Sequence, residues 1–104
     1  MKQHDVFENP IAAARRAYPF VVVLQSDLAD TGRERIVAPL APRAKLAGTV
    51  GRMTPHVKVA GGDYVLLVPS LAAVRANDLR RSKGNLASHR TEIVAALDYL
   101  FLGV

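Results

Sequence analysis

The sequence predicts an α+β fold in which a mostly antiparallel sheet comes first and a helix comes last. Two observations carry this. Short apolar runs rich in β-branched residues, bounded by Gly, Pro, Asn or Asp, fill the chain from Asp5 to Val74. From Asn85 onward the apolar residues change to a helical period. Short strands separated by Gly- and Pro-containing turns also permit a small barrel. A length of 104 residues fits one domain with a modest core.

Taken in order, Asp5-Val6-Phe7-Glu8 reads as a short first strand, stopped by Asn9-Pro10. Ile11 to Ala17 is rich in Ala and Arg and suits a helical turn within an excursion. Phe20 to Leu24 is the strongest strand, continuous enough to be buried on both faces. Asp27, Asp30 and Gly32 mark a turn. Arg35 to Ala38 reads as the next strand, ended by Pro39, and Leu40 to Gly51 as loop. His56-Val57-Lys58-Val59 alternates polar and apolar, the pattern of a half-exposed strand. Gly61-Gly62-Asp63 is the expected hairpin turn, with Tyr64 to Val68 returning and Pro69 closing it. Leu71 to Val74 reads as a short strand or a helical turn, and Arg80 to Asn85 as a polar loop. Asn85 or Ser88 then caps a helix whose apolar stripe is Ile93, Ala96, Leu97, Leu100, Phe101 and Val104, ending at Gly103. Ser88 is followed three residues on by Thr91 rather than Glu or Gln, so the capping box is incomplete.

Composition excludes several classes. With no cysteine there is neither a disulfide nor a thiolate metal site, which suits the cytoplasm. Met1 to Asn9 lacks the apolar core of a signal peptide, and no apolar run spans a bilayer. Three phenylalanines, three tyrosines and no tryptophan leave a core of Val, Leu, Ile and Ala, for which extra burial in a dimer would help. The net charge is +5, with basic clusters at Arg15-Arg16, Arg33 and Arg35, Arg43 to Arg52, and Arg75 to Lys83. The plainest reading is a solvated surface. The clusters do not alternate with aromatic stacking residues, so an acidic protein partner is preferred to nucleic acid.

Catalytic chemistry finds little support. Ser26-Asp27 and Ser88-His89 are suitable types, but adjacent residues rarely face each other. The Asp-Ser pair has a simpler role in bonding backbone groups at a strand end. His4 falls in a ragged N-terminus, His56 at a strand start and His89 in the first helical turn, where neutral imidazole is favoured. No His/Asp/Glu spacing suggests a metal, and Gly61-Gly62 lacks the ending of a P-loop. No cofactor is expected. More informative is Leu100-Phe101-Leu102-Gly103-Val104, an apolar helix end that either docks on its own sheet or is offered to a partner.

The stretch Val23-Leu24-Gln25-Ser26-Asp27-Leu28-Ala29-Asp30, then Arg35 to Leu40, resembles the CcdB family of toxins. So do Ser88-His89-Arg90, Ile93, Ala96-Leu97-Asp98 and Phe101 to Val104; a weaker segment from Pro55 to Val74 falls in order between them. The similarity runs from about Phe20 to Val104, and the part before Tyr18 matches loosely.

The resemblance implies an SH3-like, partly open antiparallel β-barrel with a C-terminal α-helix, forming a homodimer. It implies a toxin that binds the A subunit of DNA gyrase, traps the enzyme with cleaved DNA and performs no covalent chemistry. The implied gyrase contacts are Leu28, Ala29, Asp98, Phe101, Leu102, Gly103 and Val104. A CcdA-type antitoxin would neutralise it, with Arg15, Arg16 and Tyr18 as candidate contacts. The chain departs from the family where Leu102 replaces a tryptophan and Asp98 an amide. The smaller apolar area of Leu costs roughly 1–3 kcal/mol of binding at about 25 cal/mol per Å². Two other functions compete. A MazF-like ribonuclease toxin would have to recruit Arg33, His56 and Arg75. A non-poisoning module would bind antitoxin alone.

Overall fold

Phe20–Val23 lies at the centre of the sheet, and its residues serve two cores. Val22 and Leu24 face one apolar cluster; Val21 and Val23 face another. The sequence reading of a strand buried on both faces therefore holds. The structure is a computed structural model and describes residues 1–29, 31–46 and 51–104. Among these, the strands are β1 (Asp5–Glu8), β2 (Phe20–Val23), β3 (Glu34–Pro42), β4 (His56–Val59), β5 (Gly62–Leu66), β6 (Ala72–Arg75) and β7 (Ser82–Asn85). A helix, α1 (Arg90–Leu102), follows.

The strands pair antiparallel in the order β4-β5-β3-β2-β1-β7, and β6 also pairs with β3. The long β3 makes this branching possible. Its first half, Glu34 to Val37, pairs with β6, and its second half, Leu40 to Pro42, pairs with β5. The sheet curls until its two ends meet, with Val59 of β4 packed so near Gly84 of β7 that an added Cβ there would lie 3.1 Å from Val59 Cγ2. The result is a partly open antiparallel barrel with α1 against it. Ile93 and Ala96 of α1 are fully buried with Val6, Leu40, Val57, Leu66 and Leu86 in the main core. Each large apolar side chain so buried contributes about 1.5–3 kcal/mol. The second core lies on the other face, where Leu79 covers Phe7, Val21, Val23 and Val37.

Several elements differ from the sequence reading. Pro39 does not end β3; it sits within the strand opposite Val21. Its carbonyl accepts from Leu67 N–H at 2.9 Å, so its donorless nitrogen faces the gap where β3 changes partner from β6 to β5. Leu40 to Pro42 thus belongs to β3 rather than to a loop, Arg43–Lys45 forms a 3₁₀ turn, and residues 47–50 of the expected loop lie outside the described residues. The hairpin turn is Ala60-Gly61, with φ of 52° and 75°, because Val59 pairs with Gly62. Val68 falls in a 3₁₀ turn after β5, and of the stretch Leu71 to Val74 all but Leu71 lies in strand β6, which runs on to Arg75. Arg80 to Asn85 is not all loop, since Ser82–Asn85 pairs with β1. His4 is not ragged: it is 3% exposed, donates its N–H to Val23 and accepts from Leu86 N–H.

Candidate functional site

The tip of α1 is apolar and exposed. Burial fades along the helix: Ile93 and Ala96 are covered, Leu97 and Leu100 partly so, and Phe101, Leu102 and Val104 are 67%, 70% and 74% exposed. The apolar stripe outlasts the surface that covers it. Gly103 ends the helix in the left-handed conformation (φ 73°), and its N–H bonds the Tyr99 carbonyl at 3.0 Å. That stop sets the direction in which Val104 leaves the helix. Asp98 is exposed on the same last turns. Beside it the Arg52 guanidinium lies 4.0 Å from the centre of the Tyr99 ring, a cation–π contact that the sequence pattern did not signal.

The second apolar point is Leu28, 96% exposed, with Ala29 exposed next to it. The polar triplet before it builds the loop. Gln25 Oε1 accepts from Ile36 N–H (2.8 Å), continuing the β2–β3 ladder past the end of β2, and its Nε2 donates to the Ala29 carbonyl (3.2 Å). Ser26 Oγ accepts from Leu28 N–H (3.1 Å) and the Ser26 carbonyl from Ala29 N–H (3.0 Å). Asp27 Oδ1 accepts from Gln3 N–H (2.7 Å). The backbone-bonding role expected for Ser26 and Asp27 is what the geometry gives. Asp30 lies outside the described residues.

The two apolar points stand apart. Arg90, which opens α1, donates to Gln3 Oε1 (3.3 Å), and Gln3 holds Asp27, so the Leu28 loop belongs to the N-terminal end of the helix. The tip is about 18 Å further along, at 1.5 Å per residue.

Arg15, Arg16 and Tyr18 lie in the excursion between β1 and β2. Arg15 Nε donates to the Asn9 carbonyl (2.6 Å) and pairs with Glu8 (3.2 Å), so part of its donor capacity is used internally. Arg16 is exposed, and Tyr18 is 38% exposed. Buried Asn9 sets the shape: its Nδ2 donates to the Tyr18 carbonyl (2.8 Å) and its Oδ1 accepts from Ile11 N–H (2.9 Å). Ile11, 59% exposed on this same excursion, was not singled out by sequence. Its signal was a β-branched residue standing alone in an Ala/Arg run.

The residues a ribonuclease would recruit do not converge. Arg33 and Arg75 line one cleft, whereas His56 lines another with Arg52 and Glu92. His56 Nδ1 accepts from Arg43 Nη1 (3.0 Å), which leaves its Nε2–H to donate to Asp63 (3.1 Å). His89 Nε2 accepts from the Lys58 amide at 3.3 Å, the role of an unprotonated nitrogen. Among the described residues no group of three or more His, Cys, Asp or Glu side chains is placed to hold a metal, and no helix is long and apolar enough to cross a membrane.

The model of the CcdB protein family matches residues 3–103. The chain belongs to the CcdB family. Membership places it among the toxins of toxin–antitoxin systems, in a family that acts by binding. It also extends the resemblance through β1 and the excursion, where the sequence motifs were weakest. The curled antiparallel half-barrel followed by a helix is the fold that membership implies.

Proposed function

We propose that this CcdB-family toxin binds the A subunit of DNA gyrase and traps the enzyme on cleaved DNA. It acts as a homodimer in the cytoplasm and is neutralised by a CcdA-type antitoxin. The observation that carries the reading is the exposed apolar tip Phe101-Leu102-Gly103-Val104 on a helix whose inner face is buried. Such a tip is costly in water and gains free energy on entering an apolar groove. Leu28 and Ala29 form a second contact, held out by Gln25, Ser26 and Asp27. Asp98 adds a polar contact at the base of the tip. Arg15, Arg16 and Tyr18 receive the antitoxin, for which Ile11 supplies an apolar neighbour.

Leu102 in place of the family tryptophan lowers the affinity without removing the contact. A loss of about 1–3 kcal/mol corresponds to roughly 5- to 150-fold in Kd. The test is a titration of purified gyrase A subunit with the toxin by calorimetry. Wild type binds; Val104→Arg, which places a charge in an apolar groove, weakens binding at least about tenfold. Leu102→Trp tightens it. Equal affinity for all three proteins would refute the role of the helix tip.

A further inference from the structure

Gln3 and His4 join four parts of the fold. The Gln3 N–H donates to Asp27 Oδ1 at 2.7 Å, which ties residues 1–4 to the Leu28 loop. Gln3 Nε2 donates to the Leu24 carbonyl just past β2 (3.0 Å), and its Oε1 accepts from Arg90 of α1 (3.3 Å). Its own carbonyl accepts from Asn85 Nδ2 of β7 (3.1 Å). His4 adds two backbone bonds, from its N–H to the Val23 carbonyl (2.7 Å) and from the Leu86 N–H to its carbonyl (2.8 Å). Gln3 thereby links Asp27 to α1. Neither apolar core includes any of residues 1–4, so polar bonds hold this junction.

The seat of His4 is ill suited to a proton. The residue is 3% exposed, and its buried Nε2 has no hydrogen-bond partner among the described residues. Its φ of 70° lies in the left-handed region, which a residue with a side chain occupies when surrounding contacts hold it there. A neutral imidazole leaves one polar atom unpaired in this seat; an imidazolium would add a full charge to it. Arg90 of α1 repels that charge and Asp27 of the Leu28 loop attracts it. β2 and β7 meet His4 with the Val23 carbonyl and the Leu86 N–H, and Lys2 and Asp5 are its neighbours on its own segment. The Asp5 carboxylate is already engaged, accepting from the Lys2 N–H (2.7 Å) and Asn85 Nδ2 (2.8 Å). Burial first, then Arg90, lowers the imidazole below 6.5 against the pull of Asp27.

We infer that His4 is a proton-operated latch: when it takes up a proton, Gln3 and His4 leave their seat and the Leu28 loop is released from α1 while the barrel stays folded. The open segment binds a proton at the ordinary histidine value and the seated one only at lower pH. The latch is therefore shut at and above neutral pH and loosens as pH falls below 6.5. One proton lets the ratio of open to shut rise by at most about tenfold per pH unit. Opening exposes no residue of either core and breaks the Gln3 bonds that join Asp27 to α1. That the released loop is a partner contact rests on the proposed function; the latch itself does not.

The test is amide correlation NMR of the full chain from about pH 7.5 to about pH 5, above the range in which ordinary carboxylates titrate. The amides of Gln3, His4, Leu28 and Leu86 should shift together with one midpoint below 6.5, while those of Val21 in β2 and Ala73 in β6 stay still. His4→Asn, which keeps His56 and His89, should abolish the joint shift. Arg90→Gln removes the repelling cation and should raise the midpoint. A Leu28 amide that does not move would overturn the latch, since any proton taken up by His4 would then be held in its seat. Movement of Val21 and Ala73 with the rest would overturn it too, because the barrel would be unfolding as a whole. So would a joint shift that survives His4→Asn, or, should that variant not fold, a midpoint unchanged by Arg90→Gln. If gyrase A subunit fails to bind wild type at neutral pH, the proposed function falls, while the NMR titration still decides the latch.

Discussion

Ser26 and Asp27 read in the sequence as groups that bond backbone at a strand end, and together with Gln25 their side chains do close β2; they also hold Leu28 in solvent. Gln25→Ala removes the acceptor of the Ile36 amide and the donor to Ala29. We expect a stability loss of about 1 kcal/mol by urea denaturation, with weaker gyrase A binding than that loss alone produces. His4 was illegible because residue type and position suggested a frayed end, whereas long-range bonds to Val23 and Leu86 bury it. Burial first, then the Arg90 cation, lowers its imidazole below the usual histidine value of 6.5, with Asp27 pulling the other way. Its Nε2 has no hydrogen-bond partner among the described residues. The unfolded chain therefore binds a proton before the native one. Stability contributed by neutral His4 is present above pH 6.5 and is lost as pH falls below that value toward the depressed native one. The slope from this group cannot exceed about 1.4 kcal/mol per pH unit. His4→Asn, suited to the local φ of 70°, should flatten the pH dependence of Tm on the acid side of neutrality. An unchanged profile would mean that another group governs it.

At the scale of elements, β2, β4 and α1 were legible because their side chains alternate or repeat with a clear period. β7 was not: Ser82-Lys83-Gly84-Asn85 is exposed throughout, and its strand character comes from backbone pairing with β1. β3 outran Pro39 because the sheet changes partner at the proline's nitrogen. The hairpin turn shifted by one residue because Ala60 accepts a positive φ that composition assigns to glycine. The seam of the barrel is a particular point of contact. Gly84→Ala meets both a φ of 141° and Val59 Cγ2 at 3.1 Å, and should destabilise by roughly 1–3 kcal/mol in thermal unfolding. Gly51→Ala, whose Cβ would meet Thr54 Oγ1 at an ordinary 3.7 Å, should stay within about 0.5 kcal/mol of wild type. Along α1 the sequence stripe was right in direction and gave no sign of where coverage ends. That depends on the extent of the surface beneath, which fails beyond Leu100.

For the whole molecule, family membership and the barrel-plus-helix fold were legible from two motifs near opposite ends of the chain, and the family match over residues 3–103 joins them. The distribution of exposed groups was less so, because it depends on which loops the fold brings together. The molecule places an apolar helix tip at one end of α1 and Leu28 at the other. With a net charge of +5, approach to an acidic partner should be faster at low salt. The central claim is that the tip acts on gyrase, and the direct measurement is a DNA cleavage assay with purified gyrase, supercoiled plasmid and ATP. Wild-type toxin should accumulate linear DNA after detergent and protease treatment. The variant lacking Leu102 to Val104 should not, while keeping its Tm within a few degrees. Linear DNA at the same level from both proteins would contradict the account.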